Sequence, residues 1–330
     1  MPEEPQKKSS KTIYFVLGLI VLLVLVAAAG YYFLVYNKTT ATTTSVTKTS
    51  TTSATVKKTT FTKVSSPKKV FTGGYADPSI LKQTDGTYLL YLNKFGNAGN
   101  GYFVSSSPDA ETWTAKTAVI FTGISVGRAY KTDTGIRFYY PEQMPLIGST
   151  GPMPKLLSAN STDGLKFTTD PGTRITPRDG FFIGGSTVFK LSDGTYRMYF
   201  EEPDGADPTK RKGGIWGASS TDGLTWTRDA KITIEDTEDS ADSASKWPQA
   251  LHPYVITKPD GTYIMFYNTH SEIYAAESKD GTTWTKLGKL DIHGADSDGV
   301  YLPDGTFRLY YGDFSEQESG QVYFIDLKIS

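Results

Sequence analysis

Asp85-Gly86-Thr87-Tyr88-Leu89-Leu90-Tyr91 returns as Asp193-Gly194-Thr195-Tyr196-Arg197-Met198-Tyr199. It returns again as Asp260-Gly261-Thr262-Tyr263-Ile264-Met265-Phe266 and as Asp304-Gly305-Thr306-Phe307-Arg308-Leu309-Tyr310. A degraded copy, Thr134-Gly135-Ile136-Arg137-Phe138-Tyr139-Tyr140, fills the gap between the first two. Each copy is an Asp-Gly turn followed by aromatic and β-branched residues, which is hairpin chemistry. A second phrase alternates with it: Ser107 to Trp113, Ser161 to Phe167, Ser220 to Trp226 and Ser278 to Trp284, each with an Asp two residues after the Ser. A repeat of roughly 50 residues built from short strands and turns is the signature of a β-propeller. Five copies predict an all-β, five-bladed propeller over residues 59–330.

One blade can be assembled from the text. In blade four, Pro253 to Ile256 is a first strand and Asp260-Gly261 turns the chain. Thr262 to Tyr267 is the second strand, Ile273 to Glu277 the third, and Thr283 to Lys286 the fourth. The Trp or Phe of each second phrase is expected to pack between blades. The last blade lacks an outer strand, because the chain stops at Ser330 soon after Val322 to Ile325. Thr59-Thr60-Phe61-Thr62-Lys63-Val64 copies Thr282-Thr283-Trp284-Thr285-Lys286-Leu287, so the N-terminal segment is expected to close the ring against Val322 to Ile325. Closure removes exposed sheet edges.

Ahead of the repeats, Ile13 to Val35 is an uncharged, apolar run. As a helix, 23 residues reach about 34 Å, enough for a hydrocarbon core of about 30 Å. Lys7, Lys8 and Lys11 precede it and favour a cytoplasmic N-terminus. The expected order is a cytoplasmic tail (1–11), a transmembrane helix (12–36), a Thr/Ser-rich linker (37–58) and the propeller. That order makes the protein a single-pass cell-membrane protein with an extracellular C-terminal domain. A cleaved signal peptide ending at Ala27-Ala28-Ala29 is the rival reading, and the apolar run beyond it through Val35 suits an anchor better. From Lys38 to Lys63, 16 of 26 residues are Thr or Ser, too polar to fold alone. The chain has no cysteine, so no disulfide staples it, and its net charge of −1 argues against nucleic acid as a partner. A monomer is expected.

In a propeller the first strand of each blade lines the central channel. Counting eight residues back from each turn gives Asp77, Gly185, His252 and Asp296, with Ser125 or Val126 in blade two. Two residues further on, on the same strand face, come Ser79, Tyr254 and Asp298. Counting eight forward gives a rim: Asn93, Glu142, Glu201, Asn268 and Gly312. One mouth thus collects Asp77, Glu142, Glu201, His252, Asp296 and Asp298, with Arg128 and Arg178 near it. Carboxylates facing one another across a pocket are what glycosidic cleavage requires, one ionised and one protonated. Crowding separates their pKa values. Asp77, Glu201, Glu142, His252 and Asp296 are the catalytic candidates. Arg128, Asp179, Trp247, Tyr254 and Asp298 are the ligand-binding candidates. No cofactor is expected, although Asp296, Asp298 and His252 could hold a channel ion such as calcium.

Tyr75-Ala76-Asp77-Pro78-Ser79-Ile80, followed by Asp85-Gly86-Thr87-Tyr88, resembles the opening of the five-bladed propeller glycoside hydrolases of families 43 and 32. The resemblance covers about residues 70 to 330. It implies a carbohydrate partner and makes Asp77 the general base. It also implies an Asp at the start of blade three, where this chain has Ile183-Gly184-Gly185-Ser186, with Asp179 a few residues earlier. It implies a general-acid Glu at the start of blade four, where this chain has Gln249-Ala250-Leu251-His252-Pro253. Two of the three positions depart from the pattern. Either the acid comes from the rim, or the propeller is a glycan-binding surface protein that does not cut. An envelope scaffold without a small ligand is the third reading.

Overall fold

The computed structural model describes residues 58–94, 101–114, 117–122, 126–142, 153–179, 181–202, 214–235, 250–269, 271–313 and 320–330. The predicted transmembrane helix, nearly all of the Thr/Ser linker, and Trp247 lie outside them. Among the described residues, no helix is long and apolar enough to cross a membrane.

Two short strands, β1 (Phe61–Lys63) and β2 (Lys68–Phe71), come first. Blade one is β3 (Tyr75–Lys82), β4 (Tyr88–Lys94), β5 (Gly101–Ser107) and β6 (Thr117–Thr122). Blade two is β7 (Arg128–Thr132), β8 (Gly135–Pro141), β9 (Leu156–Ser161) and β10 (Thr168–Thr169). Blade three is β11 (Ser186–Lys190), β12 (Tyr196–Glu201), β13 (Gly214–Ser220) and β14 (Thr227–Glu235). Blade four is β15 (Leu251–Thr257), β16 (Tyr263–Thr269), β17 (Glu272–Ser278) and β18 (Thr285–His293). Blade five is β19 (Ala295–Tyr301), β20 (Phe307–Asp313) and β21 (Gln321–Ile329), completed by β1 and β2. Every pairing is antiparallel, and the innermost strands β3, β7, β11, β15 and β19 touch in that cyclic order. The chain is a five-bladed propeller.

Closure comes from the predicted segment in a different register. Phe61–Lys63 pairs with Leu327–Ile329, not with Val322 to Ile325. That inner stretch is covered by β2, whose Lys68, Lys69 and Phe71 face Phe324, Tyr323 and Val322. The copied motif marks only the first of two closing strands. Nothing in the repeat spells the second.

The aromatic spacing of the repeats becomes five apolar layers, one between each pair of blades. The second phrase is a turn cassette. Its Asp caps the turn, as Asp222 Oδ1 does for the N–H groups of Leu224 and Thr225 at 2.7 Å each. Its aromatic packs edge-on against a tyrosine of the preceding blade: Phe167 on Tyr91, Trp226 on Tyr139, Trp284 on Tyr199 and Trp113 on Tyr310. That tyrosine donates its hydroxyl to a carbonyl of the same cassette. Tyr91 reaches Gly164 O (2.9 Å), Tyr139 reaches Gly223 O (2.9 Å), Tyr199 reaches Gly281 O (2.7 Å), and Tyr310 reaches Ala110 O. In blade four the equivalent residue is Phe266. Among the described residues, no cassette of blade five accepts a hydroxyl here, and Phe61 packs on Phe266 instead, with centroids 5.8 Å apart. The hydroxyl is missing at the joint where its acceptor is missing.

Candidate functional site

The innermost strands do not start as plain extended chain. Asp77, Val126, His252 and Asp296 have φ of 48°, 57°, 50° and 58°, the left-handed region that non-glycine residues rarely occupy. Asp77 and His252 also precede prolines, which disfavour helical conformations at that position. In blades one, four and five the register skips here, between Ala76 and Ser79, Leu251 and Tyr254, and Ala295 and Asp298. A bulge of this kind re-aims one side chain. Here it brings three reactive side chains from three blades into one cluster.

Asp77, His252 and Asp296 each offer a polar atom within 4.8 Å of the other two. Asp77 is buried, and its Oδ2 accepts Asn93 Nδ2 at 2.8 Å and Val126 N at 3.1 Å. Asp296 is buried too, with a carboxylate oxygen within 4.8 Å of one on Asp77. Two carboxyl groups that near each other disfavour each other's ionisation. Burial first, and the Asp296 charge second, push Asp77 up to about 7. Asp296 itself is held below its ordinary value. Burial would raise it, but the adjacent His252 charge outweighs that. His252 Nδ1 lies 2.7 Å from Asp296 Oδ1, an ion pair with the oxygen off the N–H direction. Burial would lower His252, yet Asp296, Glu201 and Asp77 together raise it to about 10. The imidazole is therefore a cation near neutral pH.

Glu201 stands on the other side of the ring. It is buried at the end of β12, with Oε2 2.5 Å from His252 N and 3.7 Å from His252 Nε2. Asn268, the rim residue of blade four, accepts Asp296 N at 3.3 Å. The eight-forward count therefore holds for Asn93, Glu201 and Asn268. At Glu142, Oε2 accepts Lys155 N at 2.9 Å, and no hydrogen bond or ion pair joins it to the cluster among the described residues.

One layer deeper the channel has a floor. Arg128 Nη1 pairs with Asp298 Oδ2 at 2.7 Å, and the same guanidinium donates to Ser186 O (3.2 Å) and Ser297 O (3.0 Å). Arg128 also lies 5.3 Å from the Tyr254 ring centroid, and Tyr254 donates its hydroxyl to Gly299 O. Three sequence-predicted ligand contacts, Arg128, Tyr254 and Asp298, are thus engaged with one another as the bottom of a cup. Burial raises the Asp298 carboxyl while Arg128 opposes the shift. Asp179 is exposed, and no hydrogen bond or ion pair joins it to the cluster among the described residues. The expected ion set also changes. Asp298 is taken by Arg128 and by Gly299 N at 2.7 Å, and Asp77 stands in its place. Three donors fall short of the six to eight oxygens calcium takes, and a cation here would have to displace the His252 proton.

Chemically, the Asp77 and Asp296 carboxyls offer oxygens within 4.8 Å of each other, nearer than the acid and base that flank a sugar bond. Those are about 5–5.5 Å or about 6.5–9.5 Å apart. A working pair must combine the Asp couple with a group beyond it, Glu201 or His252.

No protein-family model matches this chain. Over 166 residues it is 32% identical to an uncharacterized protein of Mycobacterium tuberculosis, covering 45% of this chain and 52% of that protein. A counterpart from a second strain of that organism is 31% identical over the same length. The chain spans about half the length of the curated relatives it matches. Solved structures resemble it more broadly. A thermostable family-43 glycoside hydrolase superposes with a TM-score of 0.62 at 19% identity, covering 78% of this chain and 93% of that one. An endo-arabinase from Bacteroides thetaiotaomicron gives 0.60 at 15%, covering 78% and 95%. A family 117 glycoside hydrolase from Zobellia galactanivorans gives 0.61 at 11%, covering 81% and 90%. The fold is shared with these hydrolases. At such identities the likeness speaks for the fold alone.

Proposed function

We propose that this chain is a carbohydrate-active propeller of the glycoside hydrolase type. Asp77 acts as base or nucleophile, and Glu201 or His252 supplies the proton. The observation that carries the reading is the convergence of Asp77, His252 and Asp296, each at a strained strand start, with Glu201 from the end of β12, above the buried Arg128–Asp298 pair. Three titratable groups held against backbone preference, with a fourth beside them, are costly for a purely structural channel. The hydrolase activity of fold relatives supports the same chemistry. The test is a reducing-sugar assay on residues 59–330 against plant and bacterial polysaccharides, run beside a glycan-binding array. Release of reducing ends that Asp77→Asn abolishes supports cleavage. Binding without cleavage, merely weakened by Asp77→Asn, replaces the reading with that of a surface lectin.

The proposed setting is the cell surface, with residues 13–35 as a membrane anchor and 37–330 outside. The uncharged apolar run and the lysines ahead of it support this orientation.

A further inference from the structure

Blade three starts differently from the other four. Where they place Asp77, Val126, His252 and Asp296, it has Gly184-Gly185. A Cβ on Gly184 would lie 1.7 Å from Glu201 Oε1, 2.5 Å from the carboxyl carbon and 2.8 Å from Cγ. The space a side chain would take there is occupied by the Glu201 carboxyl group. A Cβ on Gly185 would come within 3.2 Å of His252 Nδ1. The two segments are bonded face to face: Glu201 N donates to Gly185 O at 3.0 Å, and Gly184 N to Glu201 O at 3.3 Å.

The next residue is held just as firmly on the opposite face. Glu202 is fully buried. Its Oε1 accepts Arg178 N at 2.9 Å, and its Oε2 accepts Arg178 Nε at 2.6 Å and Arg228 Nη1 at 2.7 Å. Arg178 is itself gripped, 4.1 Å from the Phe181 ring and 4.1 Å from the Trp216 ring. Alternation along the strand then turns Glu201 to the channel. Both Glu202 oxygens are consumed. Glu201 has only Oε2 engaged, and its Oε1 has no hydrogen bond among the described residues.

We propose that Glu201 is the second catalytic carboxylate of the cup, and that Gly184 and the Arg178–Glu202–Arg228 clamp are the residues that position it. The inference rests on the hydrolase reading and decides between its two proton donors. The glycosidic C–O bond breaks as the leaving oxygen takes the Glu201 proton. One water is consumed: its hydroxyl joins the anomeric carbon, and its proton restores Glu201, directly or by exchange through Asp77 and solvent. His252, committed to Asp296 through Nδ1, stays a cation between the two acids.

The experiment has two independent readouts. The first is a thermal-midpoint cycle over Gly184→Ala, Glu201→Ala and the double variant. Gly184→Ala is expected to lower the midpoint, and removing Glu201 from that background to restore most of the loss. Additive losses overturn the positioning role. The second uses p-nitrophenyl and 2,4-dinitrophenyl glycosides. Glu201→Gln should lower kcat on p-nitrophenyl substrates by roughly 10²–10⁴-fold, the usual scale of general acid catalysis, and far less on 2,4-dinitrophenyl ones, whose leaving group needs less proton. Gly184→Ala and Glu202→Gln should follow the same pattern with KM little changed, and Glu202→Asp should recover part of the rate. An equal loss on both leaving groups overturns the acid role. A wild-type protein that turns over no glycoside sinks the hydrolase reading and the acid role together, while the thermal cycle still decides whether Gly184 makes room for Glu201.

Discussion

Asp77 is held in conflict. Its backbone is left-handed ahead of a proline, its carboxyl is buried, and another carboxyl lies within 4.8 Å. Its folded pKa, about 7, is above the unfolded value. The stability it contributes is therefore complete below about pH 3.9 and is lost as pH rises through about 7. Asp77→Asn keeps the shape and removes the ionisation. Its thermal midpoint should exceed that of wild type above pH 7 and match it near pH 4, while turnover falls, the trade expected of a site built for chemistry. A midpoint difference independent of pH would refute this. Spacing alone revealed Asp77, His252, Asp296 and Glu201, because eight residues separate each turn from the mouth in every regular blade. It did not reveal that Arg128 and Asp298 pair, because a period of two gives the face of a strand and not the partner across the ring. Gly184 was invisible as a functional position, since its part is to be absent from a volume that Glu201 fills.

At the scale of the element, strand and turn were legible because each is written several times. The joints between blades can be tested one at a time. Tyr139→Phe leaves the Gly223 carbonyl without its phenol donor and should cost about 1 kcal/mol in urea unfolding. Phe266→Tyr should bring no gain, since no cassette carbonyl faces it. Equal effects at the two sites would mean that the hydroxyls do not link blades. The closing strands were half legible: β1 copies an outer-strand motif, whereas β2 has no repeat to betray it. Deleting residues 59–66 should cost several kcal/mol, roughly the burial of two or three apolar side chains. It should also leave part of β21 as a free edge, seen as concentration-dependent association in sedimentation. A monomer with an unchanged midpoint would show that β2 alone closes the ring.

For the whole molecule, the pH dependence of stability has two sides. The turn carboxyls are depressed by the N–H groups they cap; Asp260, bonded to Thr262, falls to about 2. Asp109, Asp222 and Asp280 are lowered by backbone hydrogen bonds in the same way. Their contribution is present above about pH 3.9 and lost as pH falls through the folded values. They lie at the surface, so each contributes little and the effect is their sum. On the alkaline side His252 acts in reverse. Its folded value, about 10, means that its share is full below about pH 6.5 and lost as pH rises toward 10. Calorimetry should therefore find maximal stability on the acid side of neutrality, and a maximum above pH 8 would contradict both assignments. The surface setting has its own test. Protease added to intact cells should release the propeller, and a protected domain with a digested N-terminal tail would reverse the orientation.

The two ends of the propeller meet: Thr60 N donates to Ser330 O at 2.9 Å, and Ser330 N to Thr60 O at 3.1 Å. The preceding residues join the ring through β1, three residues long, at the joint where Phe61 packs on Phe266 and no tyrosine–cassette hydrogen bond is made among the described residues. Any mechanical load between a ligand in the cup and whatever holds the N-terminal residues must pass through that strand. Under tension the molecule would act as a fuse. β1 peels first, with β2 as a second catch, and the four cassette-bearing joints around the cup are spared until the load has passed both.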